Sequence, residues 1–296
     1  MGSITRIVLT LVLLAFAATA EAEVFWDAVG RQVEISVPSL RIVSLAPNLT
    51  ETLFSLGLER EVAGVTLFCD WPPEAAGKPK VGGFVNPSLE AIVALEPDLV
   101  LATADGNRES DVLRLESLGV PVYVTDSRSV RDITETILAV GLLTGKAAEA
   151  EEMVRGMIRR RDRVREAVAD RPAVSVFIAL DTSPLMTAGK GTFIDELVGL
   201  AGGRNIVDSP AVKYPVFSAE QLLARDPQVI VEAAGAGDGH TEAAVRWERL
   251  PGGGGLRAVR ERRIYEIGEG DFFRPGPRVM GTLERLARIL HPESFR

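Results

Sequence analysis

Residues 88–100 read Ser88-Leu89-Glu90-Ala91-Ile92-Val93-Ala94-Leu95-Glu96-Pro97-Asp98-Leu99-Val100. Residues 218–230 read Ser218-Ala219-Glu220-Gln221-Leu222-Leu223-Ala224-Arg225-Asp226-Pro227-Gln228-Val229-Ile230, and the two stretches align without a gap. Each opens on a serine able to cap a helix, carries a glutamate in the first turn and shows an apolar helical face. A proline then ends the helix and an apolar strand follows. The copies lie 130 residues apart, a spacing much too long for a solenoid unit. Two lobes of matching architecture are the natural explanation.

Working outward, short apolar runs alternate with helical ones. Residues 41–45, 62–66, 98–103 and 120–125 read as buried strands, with helical periodicity over 49–56, 88–95, 108–118 and 130–143. The same alternation restarts at Val174: strands near 174–180, 228–233 and 263–267, a helix near 193–200 and a last helix ending near Leu290. Such alternation implies mainly parallel sheets. Between the halves, residues 146–170 hold no proline and one glycine. Glutamates 149, 151 and 152 stand at the start and Arg155, Arg159, Arg160, Arg161, Arg163 and Arg165 further on, a polarity that suits a helix dipole. Met153, Met157, Val164 and Val168 can form one apolar stripe. The expected fold class is therefore α/β: two α/β lobes bridged by one long α-helix. The expected limits are 23–143 for the first lobe, 144–170 for the bridge and 171–296 for the second lobe.

The N-terminus bears on compartment. Arg6 precedes an uncharged apolar run, Ile7 to Ala20, that ends in small-x-small patterns at Ala18–Ala20 and Ala20–Ala22. The run is shorter than the roughly 20 residues of a spanning helix, so residues 1–22 are expected to be a cleaved secretory signal. The one cysteine, Cys69, is far from this segment, so no lipid attachment is expected and the mature chain should be free in the periplasm. A lone cysteine also excludes an internal disulfide. Net charge is −8 with acids and bases interspersed, which leaves no basic footprint for nucleic acid.

Beyond these features, the chain resembles a known family. SLAPNLTETLFSLGL (44–58), VAGVTLFCDWPPEA (62–75) and VGGFVNPSLEAIVALEPDLVLA (81–102) are similar to the N-terminal lobe of periplasmic binding proteins of the cobalamin and siderophore class. TAGKGTFIDELVGLAGGRNI and YPVFSAEQLLARDPQVIV extend the likeness into the second lobe. The resemblance implies two lobes on a rigid helix, a large ligand held between them and delivery to an ABC importer. The cobalamin-binding branch is the closer match, through FCDWPP (68–73), GGFVNPS (82–88) and DFFRPGPR (271–278). It implies Phe68, Phe84, Tyr214, Asp271 and Arg274 as ligand contacts, with Trp71, Phe272 and Phe273 as neighbours. A corrin is broad, flat and largely apolar with an amide edge, so aromatic faces and a few polar groups suit it. Where cobalamin binders present a tryptophan after the strand ending at Ala102, this chain has Thr103, which thins the aromatic cage. The resemblance further implies that Glu90 and Glu220 dock on the importer's two membrane subunits, one glutamate per lobe. The ligand is expected to be a cobalt corrinoid, with no resident cofactor or metal and a monomeric chain.

Other readings compete. A ferric siderophore or haem is the alternative ligand, with Tyr214 as an iron ligand and Arg274 meeting a carboxylate. An exported hydrolase is the remote alternative. Ser44, Ser88 and Ser218 lack an obvious histidine partner, and no H-E-x-x-H or nucleophile elbow occurs. His240 follows a glycine loop at 235–239 and reads as a loop residue; Cys69 reads as a small buried side chain. Gly252–Gly255 reads as a flexible surface loop.

Overall fold

The computed structural model describes residues 21–208, 212–234 and 240–295. The first lobe opens with an antiparallel hairpin, β1 (Glu21–Trp26) and β2 (Gln32–Val37). It continues through β3 (Ile42–Ser44), α1 (Pro47–Ser55), β4 (Val62–Val65), α2 (Leu89–Ala94), β5 (Leu99–Thr103), α3 (Glu109–Ser117), β6 (Val122–Thr125) and α4 (Val130–Leu143). Its sheet has the order β4-β3-β5-β6 and is parallel throughout. Every residue of β5 and β6 is buried, as expected of parallel strands covered by helices on both faces.

After α5 (Ala147–Val168) come β7 (Val174–Thr182), β8 (Leu185–Thr187), α6 (Phe193–Leu200), β9 (Gly203–Asn205), α7 (Ala219–Arg225) and β10 (Val229–Ala234). Then follow α8 (His240–Arg249), α9 (Arg257–Arg260), β11 (Ile264–Gly268), α10 (Glu269–Phe273) and α11 (Val279–Leu290). The second sheet runs β11-β10-β7-β8, with β9 also on β7 and only the β7–β8 pair antiparallel.

Two mainly parallel α/β lobes are thus present, and the internal repeat extends to backbone conformation. Ser88 Oγ accepts from Ala91 N–H at the start of α2, and Ser218 Oγ accepts from Gln221 N–H at the start of α7. Both helices end on a left-handed residue before the proline, Glu96 (φ 46°) and Asp226 (φ 39°), which turns the chain into the strand. The strand then pairs in parallel with the first strand of its lobe's main sheet, β5 on β3 and β10 on β7. One supersecondary unit has been used twice.

The stretch read as a bridging helix is α5, 22 residues long. Ala150, Val154, Met157, Val164 and Val168 are its buried stripe; Val154 holds the place expected of Met153, which is only partly covered. The helix packs on α4 from the first lobe and on α6 and α11 from the second, so a single apolar cluster runs through both. Tight contact with α4 requires Gly141, where a Cβ would overlap that of Ala150. The arginines lie on the solvated face: Arg155 pairs with Glu151 and Glu152, Arg159 with Glu152, and Arg160 with Glu284 of α11.

The sequence reading did not anticipate three features. The β1–β2 hairpin is held by Arg31, whose guanidinium donates to Asp27, Glu116 and the Val122 carbonyl. The antiparallel β8 belongs to the second sheet. The glycine run is not an open loop but a short 3-10 turn over Gly253–Gly255, with Gly253 buried against the Trp247 carbonyl where no side chain fits.

Candidate functional site

Loops at the carboxyl ends of the strands carry the candidate residues, the usual place for ligands in α/β sheets. In the first lobe, the chain after β4 supplies Phe68 and Trp71, both largely exposed (58% and 46%). Between them Cys69 is buried, with its Sγ 3.1 Å from Thr50 Oγ1 and 3.2 Å from Thr66 Oγ1. This bonding anchors the loop from beneath: Cys69 serves as a structural pin while Phe68, Asp70 and Trp71 around it stay exposed.

Phe84 is held more firmly. Its ring lies directly over Gly106, where any Cβ would overlap the ring. Asn107 is buried and fixes both strands of this contact: its Nδ2 donates to the Phe84 carbonyl (2.8 Å) and the Leu45 carbonyl (3.3 Å). Its Oδ1 accepts from Thr103 N–H (2.8 Å). Thr103 itself is buried at the end of β5, so it is covered rather than presented.

Tyr214 stands 130 residues after Phe84, in the register of the internal repeat, and therefore occupies the equivalent loop of the second lobe. It is 44% exposed. Burial of its hydroxyl pushes the phenol pKa up, and the Asp105 carboxylate of the first lobe adds to this. Phe273 of α10 is also exposed, whereas Phe272 is wholly buried in the core. This corrects the expectation that Phe272 neighbours the ligand: adjacent residues on a helix point about 100° apart, and α10 turns this one inward. The side chains of Asp271 and His240 lie outside the described residues, as does the glycine loop 235–239.

The arginine expected in the site crosses between lobes. Arg274 Nη1 donates to Asp70 Oδ1 (2.6 Å) and to Glu51 Oε1 (3.3 Å), and its Nη2 reaches the Phe68 carbonyl (3.4 Å). Arg278 meets the same Glu51 in a bidentate pair, Nε to Oε2 at 2.9 Å and Nη2 to Oε1 at 2.8 Å. The Arg278 guanidinium also stacks on the Trp71 ring, 4.9 Å from the ring centre. Glu51, on α1, is only 2% exposed. Sequence reading missed it because α1 offers no sign that one of its acids is buried; its partners lie 223 and 227 residues away. Arg274 holds the Asp70 carboxyl below its usual range, chiefly by hydrogen bonding, against a smaller opposing effect of burial. Further inter-lobe hydrogen bonds are Asn48 Nδ2 to the Pro275 carbonyl (3.2 Å) and Val130 N–H to Glu196 Oε2 (2.8 Å).

Glu90 and Glu220 are exposed, each at the second residue of its helix, α2 or α7, in matching positions. Among the described residues no cluster of three or more His, Cys, Asp or Glu side chains is placed to hold a metal ion, and no helix is long and apolar enough to cross a membrane.

Two α/β lobes thus share one long helix, and both carry exposed aromatic side chains beside the ion pairs that cross between them. Residues 42–269 match the family model described as periplasmic binding protein, and the chain belongs to that family. It is a substrate-binding protein of the class that delivers a small ligand to ABC importers. Among its relatives is a vitamin B12-binding protein of Salmonella paratyphi A, 33% identical over 198 residues that cover 67% of this chain and 74% of the relative. The crystal structure of the periplasmic vitamin B12-binding protein of Vibrio cholerae is similar with a TM-score of 0.76 and 26% identity, covering 88% of this chain and 99% of that one. A periplasmic heme-binding protein from Roseiflexus sp. RS-1, in its apo form, has a TM-score of 0.76 and 25% identity, covering 86% and 99%.

Proposed function

We propose that this protein captures a cobalamin-like corrinoid in the cleft between its lobes and hands it to an ABC importer. Phe68, Trp71, Phe84, Tyr214, Asp271 and Arg274 would be the ligand contacts. The observation that carries the reading is the set of exposed aromatic side chains, Phe68, Trp71, Tyr214 and Phe273, drawn from loops of both lobes. Exposing such rings costs a soluble protein apolar hydration. A broad flat ligand that stacks between the lobes recovers this energy. The named function of the Salmonella and Vibrio relatives agrees with it.

Charge favours the corrinoid over haem or a ferric siderophore. Arg274 and Arg278 are paired with Asp70 and Glu51, so an anionic chelate or a propionate would compete with those carboxylates for them. The raised pKa of Tyr214 disfavours the phenolate that a ferric ion takes up.

Delivery would use Glu90 and Glu220. Both acids sit at equivalent points of a repeated unit, which suits a two-fold pair of membrane subunits. Residues 1–22 would act as the export signal, releasing a monomeric periplasmic chain. A cut after Ala22 removes the first two pairs of β1 with β2, Glu21 opposite Val37 and Ala22 opposite Ser36, and leaves the pairing from Glu23 onward.

The test is gel filtration of the mature protein after incubation with cyanocobalamin, hemin or a ferric hydroxamate in separate samples. Co-elution of the corrin absorbance alone is the expected result. Co-elution of hemin or the ferric chelate without the corrin would replace the ligand assignment.

A further inference from the structure

Resting on the corrinoid reading, we propose that Asp70 is a charge filter of the site. It would accept a hydrogen bond from a primary carboxamide at the ligand's edge and turn away a carboxylate in the same place.

Asp70 stands between the two exposed rings of its loop, two residues after Phe68 and one before Trp71. Its side chain is 68% exposed although Arg274 engages Oδ1, so the carboxylate remains accessible to a ligand. The Arg274 side chain is 17% exposed. A ligand edge reaching this point therefore meets an acceptor-only carboxylate beside a donor-only guanidinium. A primary carboxamide is the complementary group, since its NH2 donates and its carbonyl accepts. A carboxylate can serve only Arg274 and lies against Asp70 with nothing to donate.

Charge points the same way. Glu51, Asp70, Arg274 and Arg278 form a connected set of ion pairs before any ligand arrives. An amide adds no charge to it. A carboxylate adds a negative charge beside Asp70, and like charges placed together are a strong source of discrimination between partners. Arg274 keeps the Asp70 carboxyl ionised at neutral pH, so the filter is always set.

The experiment compares cyanocobalamin with its individual monocarboxylate isomers, in each of which one peripheral propionamide has been hydrolysed. Dissociation constants are measured for the wild-type protein and for Asp70→Asn. Because Asp70 is exposed, the variant is expected to fold normally, and Asn keeps an acceptor oxygen for the amide. For the wild type, at least one isomer should bind roughly tenfold or more weakly than cyanocobalamin. In Asp70→Asn the ratio between the isomer's and cyanocobalamin's dissociation constants should shrink to within about threefold, whatever the shift in cyanocobalamin affinity itself. An undiminished penalty in the variant, or no penalty for any isomer in the wild type, would overturn the proposal while leaving corrinoid binding in place. Failure of the wild type to bind any of these corrinoids would overturn the corrinoid reading and the filter together.

Discussion

Glu51→Ala tests whether the two lobes are clasped by charge as well as by the bridging helix. The wild-type carboxylate accepts three hydrogen bonds from the second lobe: two from Arg278, at 2.9 and 2.8 Å, and one from Arg274 at 3.3 Å. Removing one partner from a fully buried pair costs about 3–5 kcal/mol, because the remaining charge is stranded. Here the acid is buried but the arginine side chains are 17% and 34% exposed, so water partly solvates what is left behind. That reduces the expected loss to about 2–3 kcal/mol. Urea unfolding is the assay, supported by calorimetric melting, where such a loss lowers Tm by about 4–10 °C. A cycle with Arg278→Ala should give a coupling of about 1–2 kcal/mol. A loss below about 1 kcal/mol, the level of an ordinary surface pair, would refute the clasp.

Gly106→Ala should weaken ligand binding roughly tenfold while the fold survives, because the new methyl displaces the Phe84 ring; titration against the wild type reads this directly. Charge reversal at both docking positions, Glu90→Arg with Glu220→Arg, should abolish uptake through the importer with ligand affinity intact, and equal loss of both would reject the docking role. Cys69→Ala should cost about 1–2 kcal/mol, since it leaves a small void and takes a partner from Thr50 and Thr66, and should leave ligand affinity within threefold. Asp70 titrates below its unfolded value of about 3.9. Its pairing therefore stabilises the fold fully above about pH 4 and is lost as pH falls through the lowered value. The stability difference between wild type and Asp70→Asn should accordingly be constant from about pH 5 to 7 and shrink on acidification as the carboxyl takes up its proton.

Much of the fold was legible because local rules and tertiary packing agree. The serine caps, the prolines and the apolar faces of α2 and α7 each act within a few residues, so the repeat announced two lobes. The bridging helix was legible from its lack of breakers and its charge polarity, and α5 spans Ala147–Val168 against the expected 144–170. Exposure was legible where loop composition presents aromatics, as at Phe68 and Trp71, while Tyr214, expected from the resemblance alone, is exposed as well. Phe272 was misjudged because the sequence does not give the phase of a five-residue helix. Glu51 was invisible for a different reason: its burial is created by two arginines from the other lobe, and no local pattern encodes a contact more than 220 residues distant. Asp70 likewise gains its chemistry from Arg274, its partner in the folded chain.

The central claim is that facing aromatic loops clasp one corrinoid between the lobes. Calorimetric titration of the mature protein with cyanocobalamin tests it most directly, run at two or more temperatures so that a vanishing enthalpy cannot hide binding. The account predicts one ligand per chain, with affinity falling at least roughly tenfold when Phe84 and Tyr214 are both replaced by alanine. No heat at any temperature, or binding that is indifferent to both replacements, would contradict it.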